Sequence, residues 1–265
     1  IKITDFKNHE IFSIIKIPPS IPFIIRCDGR NFRKLCEKIG FKKPFDKNFA
    51  RLMVKVAKEV FRSGFNPTLA YILSDEINYL FLKESIFNRR IEKILSIIPS
   101  IISSRMSLEI YKKYKREESI SFDARVIIIS KEKIIEYLIW RQMEAWRNHI
   151  NAYALHALLR NGLKPSQAAK KLYKMKAEKL HDLVLEKLKI NLAKTPSWQR
   201  RGIIVKWKLK VKKGRNPITG EEVQVTRRVL DEDWNPPLFT TDEGREYIKN
   251  IIWNIEKELR KRYMS

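Results

Sequence analysis

The sequence predicts an α+β fold, with a β-α-β-β-α-β first half and a second half made of helices and one β-hairpin. Two observations lead to this prediction. Short apolar runs of strand length alternate with helical periodicity up to about residue 130, and long helical segments with a basic hairpin follow. With 265 residues, of which 44% are hydrophobic, the chain can bury a core as one large domain or two modest ones.

The elements of the first half follow from apolar spacing and from residues typical of helix ends. In order, they are a strand at 21–25, an amphipathic helix between 46 and 64, hairpin strands at 69–73 and 77–82, a basic helix at 87–114 and a strand at 125–130. Asp46 is the expected N-cap of the first helix and Gly64 its stop. Pro99 is expected to interrupt or kink the second helix.

This order is typical of a ferredoxin-like sheet with helices on one face. In that layout the first and third strands are central neighbours. Asp28 lies at the edge of the first strand, and Asp75 lies in the turn that leads into the third. We therefore expect these two carboxylates to lie close together.

The second half is predicted to be mainly helical. Its expected elements are helices at 131–160, 166–175 and 177–188, a loop at 195–202, hairpin strands at 203–211 and 223–230 joined by a turn at 216–220, and a last helix at 242–262. Thr241 is the expected cap of that last helix. Repeats and flexible linkers are absent from the sequence, so the two halves are expected to pack as one body.

The hairpin alternates basic and apolar residues. This period of two predicts cations on one face and core residues on the other. The cations are Lys206, Lys208 and Lys210, and the apolar residues are Val205, Trp207 and Leu209. The lysines, with Arg200 and Arg201 before them, are candidates for RNA-backbone contacts, and protection of an exposed sheet edge is the alternative explanation.

Two acidic motifs at strand ends predict a phosphoryl-transfer site. Asp28 is followed by Gly29, which lets the backbone approach a metal or a phosphate closely, and Asp75 is followed by Glu76. Two aspartates at neighbouring strand ends can share a pair of divalent ions that hold attacking and leaving oxygens. Each motif alone is more typical of an ordinary turn. Their combination favours metal-dependent nucleotidyl transfer.

The charge of the chain favours a polyanionic partner. Its 55 Lys and Arg exceed its 30 Asp and Glu, which gives a net charge of +25. Such an excess favours nucleic acid and predicts binding that weakens steeply with salt, although a solvated lysine-rich surface is the alternative.

Composition also bears on compartment. Two cysteines are too few for a disulfide framework or a zinc site, which predicts a reducing cytoplasm. Uninterrupted apolar stretches of about 20 residues are absent, so no membrane association is expected. The chain opens with Ile1 and without a secretory signal pattern, so the true start of the protein is left open.

Several motifs together resemble the tRNA-His guanylyltransferase family and its guanylyltransferase-like branch. They cover roughly residues 20 to 210 and comprise RCDGRNF at 26–32, FKKP at 41–44, SDE at 74–76, SFDARV at 121–126, YLIWRQ at 137–142, GLKP at 162–165 and the strand from 201 to 207. The resemblance implies a core like the palm of polymerases and addition of nucleotides to RNA 5′ ends in the 3′-to-5′ direction. It also implies tRNA as partner, ATP, GTP or other nucleoside triphosphates as substrates, and a homotetramer.

The same resemblance implies roles for individual residues. Asp28, the Gly29 carbonyl and Asp75 would bind two Mg²⁺ ions, and Glu76 would be an auxiliary catalytic carboxylate. The residues expected to line the nucleotide are Arg30, Asn31, Phe32, Arg33 and Ser74. The residues expected to meet the triphosphate or the activated RNA end are Arg26, Lys43 and Arg125. For Lys43 and Arg125, a solvated cation or a structural ion pair is an equally weighted alternative.

The resemblance predicts two regions, a palm-like catalytic domain at 1–130 and an RNA-binding and oligomerisation region at 131–265. One stretch departs from the eukaryotic guanylyltransferases. Their His-Ile-Asn-Asn-Leu-Tyr-Asn sequence corresponds here to residues 146–152, where Asn148 keeps its register and His149 is displaced. This change resembles the branch that repairs truncated tRNA 5′ ends by copying the opposite strand. His149 is not assigned a catalytic role.

Two other functions compete with 3′-to-5′ addition. A nucleotide cyclase also has a palm-like fold with paired carboxylates, but its Gly-Gly-acid hairpin is absent here. A non-catalytic RNA-binding protein would have a vestigial acidic pair, whereas Asp28 and Asp75 are both present. Obligate addition of one untemplated G to tRNA-His is the alternative within the family.

Overall fold

A computed structural model of the chain describes residues 6–215 and 220–263, with the side chains of 7–8 and 254–263 left out. The strands are β1 (Phe23–Gly29), β2 (Leu69–Leu73), β3 (Glu76–Phe81), β4 (Phe122–Ile128), β5 (Ile203–Arg215) and β6 (Glu222–Asp233). The helices are α1 (Phe32–Ile39), α2 (Lys47–Arg62), α3 (Ile91–Tyr114), α4 (Ile134–Arg160), α5 (Pro165–Leu172), α6 (Ala177–Leu188), α7 (Ser197–Arg201) and α8 (Asp242–Tyr263).

The strands form one six-stranded antiparallel sheet in the order β4-β1-β3-β2-β5-β6. The first four strands have the predicted ferredoxin-like order, and β1 and β3 are central neighbours as expected. The second half contributes β5, which pairs with β2 and so continues the same sheet. The predicted turn at 216–220 lies outside the described residues, except for Gly220.

Alternate residues of β1 point to opposite faces of the sheet, and each face has its own core. Phe23, Ile25 and Cys27 pack with the apolar stripes of α2 and α3. Ile24 packs on the other face, with residues of α4 and α8. Helices of the first half therefore cover one face, as predicted, and helices of the second half cover the other.

Helix α2 begins where its sequence predicts. Asp46 has extended backbone geometry, and its carboxylate accepts hydrogen bonds from the backbone N–H groups of Asn48 and Phe49. These two bonds satisfy donors that the first turn of a helix leaves free. Gly64, with φ +85°, follows the helix end.

Helix α3 and strand β4 differ from their predicted bounds. The helix begins at Ile91 rather than at residue 87, because Phe87 and Asn88 have positive φ in a short 3₁₀ turn. Pro99 lies inside the helix and does not interrupt it. Strand β4 spans Phe122–Ile128, three residues earlier than predicted at its start.

Among the described residues, α3 is also long and apolar enough by length and composition to cross a membrane. The expectation from sequence counted only uninterrupted apolar residues and overlooked this helix. In the structure its buried side chains recur every four residues and pack in the core of the sheet. They are Ile94, Ile98, Ile102, Met106 and Ile110.

The hairpin β5–β6 is longer than predicted, and its expected apolar face is not a core face along its whole length. Val205 is buried, Trp207 is half-buried and Leu209 is exposed. The reason is that β2 pairs with β5 only from Ile203 to Lys206, so the rest of the hairpin extends past the sheet. The loop predicted at 195–202 contains the short helix α7.

Candidate active site

The two predicted carboxylates meet at one end of the sheet. Asp28, near the end of β1, lies directly opposite Glu76 on β3 and Asp123 on β4. Asp75 lies in the two-residue turn between β2 and β3, and its carbonyl oxygen accepts a hydrogen bond from the Gly29 N–H at 3.2 Å. The adjacency of β1 and β3 thus brings the two acidic motifs together.

Gly29 has a packing role besides the one its sequence suggests. A Cβ atom at this position would lie 2.4 Å from the ring of Phe32. Phe32 begins α1 and is buried, with its ring edge-on to that of Phe122. Only glycine therefore allows β1 and the start of α1 to approach each other this closely.

The environment of the two aspartates disfavours their charged forms. Burial raises the pKa of Asp75 to about 6, and the charge of Asp28 adds to the shift. Burial also raises the pKa of Asp28, with contributions from Glu76 and Asp123. The excess negative charge is what a bound cation would neutralise.

The donor set fits a hard divalent cation. Asp28 and Asp75 supply carboxylate oxygens and Gly29 supplies a carbonyl oxygen, the ligand type that Mg²⁺ prefers. Within the described ranges, groups of three or more His, Cys, Asp or Glu side chains with metal-site spacing are absent. A cation here would thus be held by two carboxylates and backbone oxygen, with the remaining positions open to substrate.

Glu76 is held by an ion pair. The Arg141 guanidinium donates from Nε to Oε1 at 2.9 Å and from Nη2 to Oε2 at 2.6 Å, and Asn78 donates to Oε1 at 2.7 Å. Both members of the pair are about nine-tenths buried. The predicted auxiliary carboxylate of Glu76 therefore already accepts three hydrogen bonds. Through Arg141 it connects α4 to β3, the strand that follows Asp75.

A cavity of about 510 Å³ opens beside the aspartates. The predicted site residues that line it are Asp28, Phe32, Arg33, Lys43, Ser74, Asp75 and Glu76. Ser74 lies in the turn with φ +54°. Lys43 and Arg33 both pair with Glu37 at the surface, at 3.9 and 3.4 Å, so these pairs are weak and can open for a phosphate.

The other predicted nucleotide residues lie outside the cavity lining. Arg26 and Arg125 are directly opposite each other on β1 and β4, and Arg125 is exposed and pairs with Asp123 at 3.3 Å. Arg30 lies just beyond β1, and its N–H donates to the Ser121 carbonyl. Asn31 adopts positive φ at the start of α1.

The side chains predicted to contact RNA differ in their exposure and in their hydrogen bonds within the protein. Arg200 donates to the Thr195 carbonyl and Arg201 to the Pro236 carbonyl. Lys206 is half-buried, because its ammonium group binds the hydroxyl of Tyr247 at 3.0 Å and lies 4.3 Å from the ring centre. Burial lowers the pKa of Lys206. The other two lysines, Lys208 and Lys210, are exposed on β5.

The second half supplies a wall of the cavity that sequence reasoning missed. Its residues come from the middle of α4 and from α7, and we call them the far wall: Ala145, Asn148, His149, Ala152, Trp198 and Gln199. Long-range packing of α4 against α7 brings them to the cavity, and apolar periodicity carries no signal of that packing. Two signals were available, a tryptophan in a predicted loop and the stretch at 146–152, but neither indicated a cavity wall.

His149 is fully buried in this wall. Its Nε2 lies 2.9 Å from the Thr195 hydroxyl, and the rings of Trp146 and Phe45 lie 5.3 and 5.5 Å from its own. Burial lowers the pKa of His149 to about 3, with smaller contributions from Arg200 and His181. The imidazole is therefore neutral at physiological pH, which agrees with a packing role.

Comparisons with known proteins identify relatives of this chain. Two family models match the chain, tRNAHis guanylyltransferase over residues 3–130 and Thg1 C terminal domain over residues 132–236. The probable tRNA(His) guanylyltransferase of Bos taurus is 30% identical over 217 residues, which are 77% of this chain and 72% of that protein. The protein of the same name from Mus musculus is 30% identical, and the match spans 64% of its length.

Solved structures show the same fold. A bacterial tRNA(His) guanylyltransferase (Thg1)-like protein in complex with ATP superposes with a TM-score of 0.73 and 25% identity, covering 94% of this chain and 97% of that one. The same kind of bacterial protein has been solved in complex with GTP. The guanylyltransferase of Saccharomyces cerevisiae has a TM-score of 0.66 and covers 74% of this chain and 90% of its own.

Proposed function

This chain belongs to the tRNA-His guanylyltransferase family, and we propose that it is a metal-dependent nucleotidyltransferase that adds nucleotides to the 5′ end of tRNA in the 3′-to-5′ direction. The observation that carries this proposal is the position of Asp28 and Asp75 side by side at a cavity of about 510 Å³. The ATP and GTP bound to the bacterial relatives support nucleoside triphosphates as its substrates.

Different residues in and beside the cavity would bind the metal ions and the triphosphate. Asp28, Asp75 and the Gly29 carbonyl would hold two Mg²⁺ ions, which when bound supply the positive charge that phosphoryl transfer needs. Lys43 and Arg33 line the cavity and would supply cationic groups to a triphosphate bound there. The Arg141–Glu76 pair holds the end of β3, and therefore the turn that contains Asp75, in one position.

The first experiment tests the two aspartates. Asp28→Asn and Asp75→Asn should each abolish nucleotide addition to a tRNA in Mg²⁺ while tRNA affinity stays near that of the wild type, because RNA affinity comes from the basic surface. Asp182→Asn, which changes an exposed carboxylate on α6, is the control and should be fully active. Near-normal turnover in either aspartate variant would show that the two-carboxylate assignment is wrong.

We further propose that addition is templated, so that this protein repairs truncated tRNA 5′ ends. The carboxylates carry no base preference of their own, and residues 146–152 depart from the stretch of the obligate tRNA-His enzymes. A net charge of +25 suits recognition of RNA shape and backbone. Base choice would then fall to pairing with the opposite strand.

The test uses truncated tRNAs that differ only in the base opposite the missing position, each offered all four nucleotides. We expect the complementary nucleotide in every product, read by 5′-end sequencing. Addition of G whatever the opposite base would contradict templated repair and restore obligate G addition to tRNA-His.

We also propose that the protein is a homotetramer and that it resides in the cytoplasm. The two cysteines are free thiols, Cys27 buried and Cys36 half-buried, as suits a reducing compartment. Light scattering of the purified protein tests the assembly directly, and a mass other than four chains would contradict it.

A further inference from the structure

Trp140 on α4 is a large aromatic side chain that the protein leaves half uncovered. Its exposed fraction is 48%. Two guanidinium groups lie near its ring, that of Arg141 at 4.6 Å from the ring centre and that of Arg26 at 5.9 Å. The ring of Tyr137 meets it edge-on at 5.6 Å. We call these four side chains the Trp140 cluster.

Hydrogen bonds to β3 hold the neighbours of Trp140 in place. The hydroxyl of buried Tyr137 donates to the Asn78 side chain at 2.6 Å, and Arg141 binds Glu76 through two hydrogen bonds. The tryptophan therefore lies on a fixed part of α4, between two anchored residues. A rigid aromatic face loses little entropy when a ligand stacks on it.

The Trp140 cluster lies close to the aspartates in the sheet, and Trp140 itself lies outside the lining of the nucleotide cavity. Arg26 precedes Asp28 by two residues on the same face of β1, a separation of about 7 Å. Glu76, which Arg141 binds, is directly opposite Asp28 in the sheet. Trp140 is not part of the cavity lining, whereas Arg141 is. The cluster thus borders the acidic pair beside the space that the nucleotide would fill.

The positive charge around Trp140 favours an anionic ligand. Arg26 lies near the ring, and Arg125 lies directly opposite Arg26 on β4, where it is exposed and pairs with Asp123. Arginines beside an exposed aromatic ring are typical of surfaces that stack a nucleobase and bind its phosphate. An apolar protein partner would not need them, and the net charge of +25 agrees with a nucleic acid.

We propose that Trp140 stacks the terminal nucleobase of the RNA 5′ end, with Arg26 and Arg125 at the adjoining phosphates. The inference rests on the proposed function, because it assigns the place of the RNA end at the same site. Stacking here would hold the RNA end beside Asp28 while the cavity holds the incoming nucleotide.

Fluorescence of the terminal base tests the stacking directly. A tRNA lacking its first nucleotide carries 2-aminopurine at the new 5′ end and is titrated with protein in the absence of nucleoside triphosphates. Stacking on an aromatic ring should quench the fluorescence of this base. Trp140→Leu keeps apolar contacts with the arginine stems but has no aromatic face, so it should lose the quench. Trp140→Phe should retain part of it.

The matched control is Trp253→Leu, which removes the exposed tryptophan of α8 and should quench like the wild type. In steady-state addition, Trp140→Leu should raise the KM for the RNA about tenfold, with an unchanged KM for the nucleotide. Quenching by Trp140→Leu equal to that of Trp253→Leu would overturn the proposal. So would an equal rise in both KM values, since that would indicate a displaced Arg141.

The two proposals can fail separately. Wild-type protein that quenches the labelled RNA but adds no nucleotide in Mg²⁺ contradicts the proposed function and leaves the stacking in place. Wild-type protein that adds nucleotides, together with Trp140→Leu that behaves like the control, contradicts the stacking alone.

Discussion

Removing Arg141 from its ion pair with Glu76 should strongly destabilise the folded chain. The side chains are 11% and 12% exposed, so both charges have lost most of their water. Arg141→Met keeps a side chain of similar length and removes the cation. Glu76 would then retain one described donor, Asn78 at 2.7 Å. An uncompensated buried charge is the expected result.

The magnitude follows from the contacts that are lost. Two hydrogen bonds to a charged group contribute about 1.5–3 kcal/mol each, and removing one partner of a buried pair costs about 3–5 kcal/mol. Because Asn78 still binds Glu76, we expect the lower part of this range, about 3 kcal/mol. That is a large share of the roughly 5–15 kcal/mol that stabilises a typical protein.

Urea unfolding followed by circular dichroism, without RNA and metal, measures the loss. Arg141→Met should lower the midpoint with an unchanged slope. Arg147→Met is the control, because Arg147 pairs with Glu144 at the surface of the same helix and its loss should cost less than about 1 kcal/mol. Glu76→Gln added to Arg141→Met should restore part of the stability, since the unpaired charge is gone. Equal losses in the two arginine variants would refute this reasoning.

Two further predictions concern the second half. The pKa of His149 falls from 6.5 to about 3 on folding, so below pH 6.5 the unfolded chain binds a proton that the folded chain does not. His149 alone should therefore lower the stability by about 2 kcal/mol between pH 6.5 and 5, whereas Asp75, whose pKa is raised to about 6, acts in the opposite direction over the same range. In urea titrations the stability of the wild type relative to His149→Gln should fall by that amount, and the same comparison with His9→Gln is the control. Neutralising Lys208 and Lys210 should lower RNA affinity and reduce the salt slope by about one per lost phosphate contact. Neutralising Lys206, which is bound to α8, should leave that slope unchanged.

The parts of the fold that sequence predicted correctly are those with local physical causes. Asp46 predicts the start of α2 because the cap is made by its own side chain within three residues. The apolar runs that became β1 and β3 predict their adjacency because the order of elements restricts how such a sheet can form. The meeting of Asp28 and Asp75 follows from that adjacency.

The errors have equally specific causes. Helix α1 was not predicted, because it has eight residues and begins after Asn31, a residue with positive φ. Phe87 and Asn88 also have positive φ, so α3 begins later in the chain than predicted. Apolar periodicity does not reveal a positive φ. Leu209 was assigned to a core face, although the alternation of a strand says nothing about whether another element covers it.

The sequence predicted the carboxylates of the candidate site but not the far wall of its cavity, and this difference bears on substrate choice. Asp28 and Asp75 come from strand ends, whereas the far wall comes from α4 and α7. The stretch at 146–152, where the sequence predicts a difference from the eukaryotic enzymes, supplies Asn148, His149 and Ala152 to that wall. A difference in substrate choice without a change in chemistry is therefore expected to reside there, because these side chains face the cavity but hold neither of the two carboxylates.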